Sequence, residues 1–295
     1  MNSPKTIPHP FPYQGSKRRI AADILARMPE RAGVLYEPFA GSGALTIAAA
    51  VDGRAGSFVL ADLNGPLVTL WRAILEDPEA LCDEYERLWI AQEGREPVFY
   101  GEVRGRFNQH QRPADLLYLL ARCVKAAVRY NGRGEFNNSP DHRRRGMRPS
   151  TMRANILGVS SLLAGRARAV EADYREVLAE AGPGDLVYMD PPYQGVSNTR
   201  DHRYIRGLDQ SEFVAALEDL NARGVPYIIS YDGRTGEKTY GEELPAHLGL
   251  TRYEVFAGQS SQATLLGKSA ETHESLYVSA SVEPAPQVAS GLLFE

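Results

Sequence analysis

Asp190-Pro191-Pro192-Tyr193 follows directly on the apolar run Leu186-Val187-Tyr188-Met189, the pattern of a buried strand that ends in a rigid turn. Two successive prolines fix φ near about −65° and carry no N–H, so the turn offers carbonyl acceptors into a cleft. The Asp190 carboxylate and a proline carbonyl can accept both hydrogens of an exocyclic amine, while Tyr193 stacks on the ring that bears it. An aromatic amine is a poor nucleophile because its lone pair is delocalised into the ring. Two acceptors favour the pyramidal geometry that frees this pair to attack an electrophilic methyl group. That chemistry needs no metal. The candidate catalytic residues are therefore Asp190, Pro191, Pro192 and Tyr193, and a surface proline turn with a capping aspartate is the plain alternative.

A second signal lies upstream. Phe39-Ala40-Gly41-Ser42-Gly43 follows one apolar run and opens a helical pattern, an arrangement in which glycines let a ligand approach the backbone. Asp62 ends the next apolar run, about twenty residues on, where a carboxylate can accept hydrogen bonds from ribose hydroxyls. Leu45 and Thr46 follow Gly43, so the spacing is not the Gly-x-Gly-x-x-Gly of a dinucleotide site. A nucleoside cofactor without a pyrophosphate suits it better, and a nucleotide-dependent oxidoreductase is the weaker rival.

The elements that must hold these residues are read from periodicity. Apolar runs at Val34–Pro38, Ser57–Asp62, Arg168–Asp173, Asp185–Asp190, Pro226–Asp232, Thr251–Ala257 and Glu274–Ala280 predict seven strands. Helical patterns at Ala44–Ala50, Gly65–Glu76, Tyr174–Glu180 and Leu208–Ala222 follow most of them. The expected class is α/β, a Rossmann-like, mostly parallel sheet whose last strand returns antiparallel beside its predecessor. Both chemical signals then fall at the carboxyl ends of strands. Residues 71–161 break the alternation and are read as an insertion between a first catalytic part, 1–70, and a second, 162–295. Its expected helices are Pro78–Gln92, Val98–His110 and Ala114–Arg129, and Tyr130–Ser150 is expected to form a long hairpin or ordered loop.

With 295 residues, 43% hydrophobic and 24% charged, the chain reads as globular. Cys82 and Cys123 lie outside metal-type spacings, so buried thiols are expected, with no zinc site and no disulfide. No long apolar segment and no secretory signal are seen, which predicts a cytoplasmic protein. A net charge of −4 does not advertise a nucleic-acid ligand, but its distribution does. Arg129, Arg133, Arg143, Arg144, Arg145, Arg148 and Arg153 crowd a segment that holds Glu135 and Asp141 as its acidic residues. A solvated charged loop would give the same run. The 283–295 tail is expected to fray.

These motifs resemble those of the alpha-class amino-group DNA methyltransferases, the Dam-like and EcoRV-type modification methylases, over nearly the whole chain. Phe11-Pro12-Tyr13-Gln14-Gly15-Ser16-Lys17 is similar to the family's N-terminal cofactor motif, Glu37 to Gly43 to its glycine loop, and Ala61-Asp62-Leu63-Asn64 to its ribose-binding strand end. Their order, with the Asp-Pro-Pro-Tyr loop after an insertion, is that of the alpha class. Phe99-Tyr100, Arg106-Phe107-Asn108 and Arg129-Tyr130-Asn131-Gly132-Arg133-Gly134-Glu135-Phe136-Asn137 resemble its target-recognition segments.

The resemblance implies S-adenosylmethionine as cofactor, bound by Tyr13, Lys17, Phe39, Gly41, Gly43, Asp62 and Asp190, with Tyr13 standing where Dam has a tryptophan. It also implies transfer to N6 of an adenine flipped out of double-stranded DNA. Arg129, Asn131, Arg133, Asn137, Arg143, Arg144 and Arg145 are the candidate DNA-binding residues, suited to major-groove edges and phosphates. The segment 138–145 departs from Dam, so a GATC specificity is not carried over. Further expectations are a monomer associated with the nucleoid and a cognate restriction endonuclease acting separately. Cytosine N4, an RNA amine and a non-catalytic DNA-binding relative remain alternatives. Tyr204 is a candidate for the flipped-base pocket and 259–264 for a second loop facing DNA, each weighed against an ordinary core or loop role.

Overall fold

All seven predicted strands form in the computed structural model, which describes residues 7–192, 208–235, 238–240, 243–259 and 271–282. Tyr193, Tyr204, residues 260–264 and the tail lie outside the described residues, as does the side chain of Gln259. The strands are β1 (Ala32–Glu37), β2 (Ala55–Asp62), β3 (Ala167–Glu171), β4 (Leu186–Met189), β5 (Tyr227–Thr235), β6 (Lys238–Tyr240), β7 (Thr251–Gln259) and β8 (Glu271–Val278). Their order is β3-β2-β1-β4-β5-β8-β7, with β6 pairing β5. β1 to β5 run parallel along that path, and β8 inserts antiparallel between β5 and β7. The short β6 is an eighth strand that periodicity missed, because three residues are too few to show alternation.

The helices are α1 (Ala21–Leu25), α2 (Ala44–Asp52), α3 (Gly65–Glu76), α4 (Pro78–Ala91), α5 (Glu96–His110), α6 (Pro113–Arg122), α7 (Pro149–Leu163), α8 (Tyr174–Glu180) and α9 (Gln210–Ala222). The short α1 was not predicted, and two longer helices differ from expectation. The helix expected over 114–129 stops at Arg122, because Cys123 is extended and Lys125 and Ala126 take positive φ of 58° and 51°. There the backbone turns to pair with the segment that follows, Val124 N donating to Ser139 O and Asp141 N to Arg122 O. α7 was not predicted, although Met152, Ile156, Val159 and Leu163 recur at helical spacing and are all buried.

Strand alternation sorts the core into two layers, one on each sheet face. Leu35, Phe58, Leu60, Leu186, Tyr188, Ile228, Leu276 and Val278 face one cluster, which also holds α2, α3 and the inserted helices. Tyr36, Val59, Ala61, Val187, Met189, Ile229 and Tyr277 face the other, beneath α8 and α9. In α2 the seven residues Ala44 to Ala50 are all buried and, Thr46 apart, apolar, as a helix between sheet and helical layer must be. Both cysteines are buried free thiols. No helix among the described residues is long and apolar enough to cross a membrane.

β1 leads to neighbours on one side and β4 to neighbours on the other. Their carboxyl ends therefore flank the crevice where the winding direction reverses, the place where open α/β sheets bind ligands.

The first cluster runs without a break from the sheet through α2 and α3 into α6 and α7. Ile156→Ala, which empties a fully buried α7 site, is expected to cost about 2–5 kcal/mol and to shift one cooperative denaturant transition. Two separable transitions, with one unmoved by the substitution, would show that the insertion unfolds independently.

Candidate active site

The N-terminal segment reaches the crevice by anchoring its aromatic residues. Phe11 is buried edge-on against Trp71 at 5.6 Å, and Tyr13 packs edge-on to Phe11 at 6.3 Å. Trp71 Nε1 in turn donates to Gly41 O at 2.9 Å. Gly41 holds φ +48°, and a Cβ there would lie 3.0 Å from the Tyr13 ring, so glycine is what lets the aromatic lie over the loop. Gly43 caps α2 with φ +58°, and a Cβ there would meet the Trp71 and Leu60 side chains at 2.8 and 2.9 Å. Ser42 Oγ donates to Ser16 Oγ at 2.9 Å, tying the loop to the segment above it.

Asp62, at the end of β2, accepts from Gly41 N at 3.1 Å on one oxygen and from Asn64 N at 2.9 Å on the other. The carboxylate keeps acceptor capacity for a further donor. Burial pushes its carboxyl up from the ordinary value, and the backbone donors oppose that rise. Phe39 stacks on Tyr174 at 5.5 Å and forms the opposite wall. The insertion contributes as well: the Tyr130 hydroxyl donates to Asn64 Oδ1 at 3.0 Å. The cavity so enclosed has a volume of about 510 Å³ and is lined by Tyr13, Phe39, Gly41, Asp62, Tyr130 and Asp190, among others.

At its far end Lys17, only 8% exposed, holds Asp190. Its Nζ lies 2.9 Å from Asp190 Oδ2 and 3.4 Å from Glu274 Oε2. Burial raises the Asp190 carboxyl to about 6; Lys17 pulls it back down and Glu274 pushes it further up. Pro191 and Pro192 line the same cavity. Glu37 ends β1 on the same sheet face as Leu35, and its Oε1 accepts from Thr46 N at 3.1 Å, in the first turn of α2. It thus caps a helix whose N-cap glycine has no side chain to do so. Burial raises its carboxyl to about 8, so Glu37 is protonated at neutral pH and adds no charge beside Asp190.

Eight of the predicted site residues with described side chains, Tyr13, Lys17, Phe39, Gly41, Asp62, Asp190, Pro191 and Pro192, therefore converge on one cavity. Gly43 shapes it from beneath. The candidate DNA-binding residues lie on the insertion, where Arg129, Arg133, Asn137, Arg143 and Arg144 are exposed. Arg143 and Arg144 lean on Asp141 at 3.1 and 3.6 Å. Asn131 is used by the turn itself: its Oδ1 accepts from Arg133 N and Glu135 N, and its Nδ2 donates to Glu135. Arg145 is held by Glu93 and Glu96 over the Trp89 ring, which fastens the segment to α4 and α5. Glu37, Asn64 and Tyr130 fall inside the sequence motifs but carried no assigned role there, and Tyr174 and Glu274 were missed as contributors. Glu274 has a readable signal in hindsight, since it shares the alternation of Leu276 and Val278.

Residues 13–259 match the family described as D12 class N6 adenine-specific DNA methyltransferase. The chain is 29% identical over 236 residues to a DNA N-6-adenine-methyltransferase of Escherichia phage P1, covering 76% of this chain and 29% of that protein. It is 28% identical over 228 residues to a DNA adenine methylase of Vibrio cholerae, covering 74% of this chain and 79% of that one. A type II methyltransferase of Lactococcus lactis is 25% identical over 274 residues, 88% of this chain and 92% of its own length. The chain thus spans less than a third of the phage protein and most of the other two.

Glu37 makes a stability prediction. Its folded carboxyl titrates near 8, above the ordinary 4.5, so between those values the folded chain holds a proton that the unfolded chain has lost. That contribution is complete below about 4.5 and disappears as pH rises through about 8. Glu37→Gln keeps the acceptor for Thr46 N and never ionises. It should match the wild type near pH 5 and exceed it at pH 8.5 by on the order of 4 kcal/mol, read from denaturant midpoints. A constant difference across that range would show that Glu37 is ionised in the folded protein.

Proposed function

The chain belongs to the D12 class of N6 adenine-specific DNA methyltransferases, and from that membership we propose that its cavity binds S-adenosylmethionine and presents an adenine, extruded from duplex DNA, to Asp190 and the proline turn. The observation that carries the reading is the single cavity shared by Tyr13, Asp62 and Asp190, which come from three separate stretches of chain. The residues suit such a cofactor. Asp62 has acceptor capacity left for ribose hydroxyls, Tyr13 and Phe39 offer aromatic faces, and about 510 Å³ is in the range of small-molecule sites. When bound, S-adenosylmethionine supplies an electrophilic methyl group.

The chain's own residues supply the rest. Asp190 in its ionised form accepts one hydrogen of the adenine amine, and a carbonyl of the proline turn accepts the other, freeing the nitrogen lone pair. Lys17 keeps Asp190 aimed and lowers its carboxyl toward ionisation. Extrusion of the base costs a few kcal/mol, and the exposed arginines of the insertion are read as the groups that recover it on phosphates and base edges. Arg129 and Asn137, joined across the hairpin by Asn137 N donating to Arg129 O at 3.0 Å, are among the exposed residues read as DNA contacts. The relative named as a type II methyltransferase supports a modification role, and a separately acting endonuclease is the partner we infer for such a role. We read the protein as a cytoplasmic monomer working on the nucleoid.

Methylation-sensitive long-read sequencing of DNA from expressing cells, with nucleoside analysis of the same DNA, tests the reading. N6-methyladenine at one recurring motif is expected. N4-methylcytosine alone, or methylation confined to RNA, would overturn it. Asp190→Asn is expected to lower the single-turnover rate by about 10²–10³, with the protein still folded. Because the ionised carboxylate is the working form, the wild-type rate should rise through about pH 6 and level off above it. A rate that stayed flat from pH 5 to 8 would remove Asp190 from that role.

A further inference from the structure

Lys125 and Ala126 pass through the left-handed region one after the other, with φ of 58° and 51°. Glycine and asparagine take that conformation cheaply. A lysine and an alanine do not, and two such residues in succession persist where surrounding bonds dictate them. The bend they form lies at a junction. Before it α6 ends at Arg122, and after it come Val128 and Tyr130, both of which line the cavity. Within the bend, Ala126 O accepts from Gln14 N at 3.0 Å, in the stretch Tyr13-Gln14-Gly15 that lines the same cavity from the N-terminal side.

The bend is held by the buried side chain of Asn138. Its Nδ2 donates to Val124 O at 3.1 Å and to Ala127 O at 2.9 Å, the carbonyls on either side of the two left-handed residues. Its Oδ1 accepts from Ser139 N at 2.9 Å, which sets the amide with both hydrogens toward the bend. A side-chain amide donates two hydrogens from one nitrogen while its oxygen accepts a third bond, which a hydroxyl or a carboxylate cannot do. Asn138 is anchored in turn from α5, where the Tyr100 hydroxyl donates to Asn138 O at 3.0 Å and Arg104 Nη1 lies farther off at 3.5 Å.

We propose that Asn138 is a positioning residue for the cavity: by clamping the strained bend at 125–126 it keeps Ala126 O on Gln14 N, and so keeps Tyr13 seated over the Gly41 loop. For its consequence in binding, the inference rests on S-adenosylmethionine as the ligand of that cavity. Asn138 directly follows Asn137, one of the exposed residues read as DNA contacts, so the clamp joins the outer side of the hairpin to the cavity roof. The strain makes the role separable from plain core packing. Ala126→Gly removes the steric cost of the left-handed conformation, and a bend without that cost no longer needs the clamp.

Three measurements on the full chain without DNA test this: hydrogen exchange of the Gln14 amide and the melting temperature, both without ligand, and calorimetric titration of S-adenosylmethionine. Asn138→Ala is expected to speed Gln14 exchange by about tenfold and to weaken S-adenosylmethionine by about three- to tenfold. Adding Ala126→Gly to that variant should return both to within about twofold of the wild type. Ala126→Gly alone, with Asn138 in place, should raise the melting temperature by about 1–3 °C. A loss in Asn138→Ala that Ala126→Gly does not recover, an affinity unchanged in Asn138→Ala, or a melting temperature lowered by Ala126→Gly overturns the proposal. A wild type that binds no S-adenosylmethionine overturns the cofactor reading and the role of the clamp in binding, while exchange and melting still decide whether Asn138 holds the bend.

Discussion

An ammonium withdrawn from water must be met by negative charge, and the burial of Lys17 imposes that condition on three distant parts of this chain. Asp190 ends β4, Glu274 sits in β8, and Lys17 belongs to a short 3₁₀ turn near the N-terminus. Lys17 can stand between the two carboxylates if residues 11–16 cross the carboxyl edge of the sheet. That path lays Phe11 on Trp71 and Tyr13 over Gly41. The roof of the cavity is therefore fastened at one end by apolar packing and at the other by a buried ion pair. Removing one member of such a set leaves an uncompensated buried charge, at a cost of about 3–5 kcal/mol, so the roof and the Asp190 carboxylate are held by the same contact.

What the sequence disclosed follows from how local each feature is. The turn after β4, the glycine loop after β1 and Asp62 after β2 are written as a few consecutive residues at a strand end, and strand ends are marked by the apolar runs before them. Glu274 is marked only by the alternation it shares with Leu276 and Val278, which does not say what it meets. Its place beside Lys17 depends on β8 inserting between β5 and β7 and on a register shift in β5, neither of which periodicity can state. The premature end of α6 was hidden for a related reason. Residues 114–129 have a helical composition, and what ends the helix is pairing with Ser139 and Asp141, fifteen or more residues on. Tertiary pairing outweighed local propensity there.

Charge in the insertion was harder to read than hydrophobicity in the sheet. A run of arginines announces itself in sequence, but not which of them are committed to the protein. Arg145 is engaged by Glu93, Glu96 and Trp89, and Arg153 by Glu79 and Asp83, so both brace the inserted helices against one another. Arg129 and Arg133 remain on the surface, Arg133 being 80% exposed even while it meets Glu135. The distinction comes from where each arginine falls relative to α4 and α5.

The hairpin that carries Arg129 also closes the cavity. Successive residues of an extended segment point to opposite sides, so Tyr130 turns inward to Asn64 while its neighbour Arg129 stays outside. Val128 lines the cavity as well, and Ala126 O accepts from Gln14 N, one residue from Tyr13. Asn131 then locks the turn with three hydrogen bonds to Arg133 and Glu135, and Phe136 packs edge-on to both Tyr130 and Phe107. With so many fixed contacts the segment cannot shift its outer face without moving its inner one. Tyr130 reaches Asn64, whose N–H bonds Asp62, whose other oxygen holds the Gly41 loop. Displacement of the hairpin would thus pass, one hydrogen bond at a time, into the wall where Asp62 and Tyr13 meet.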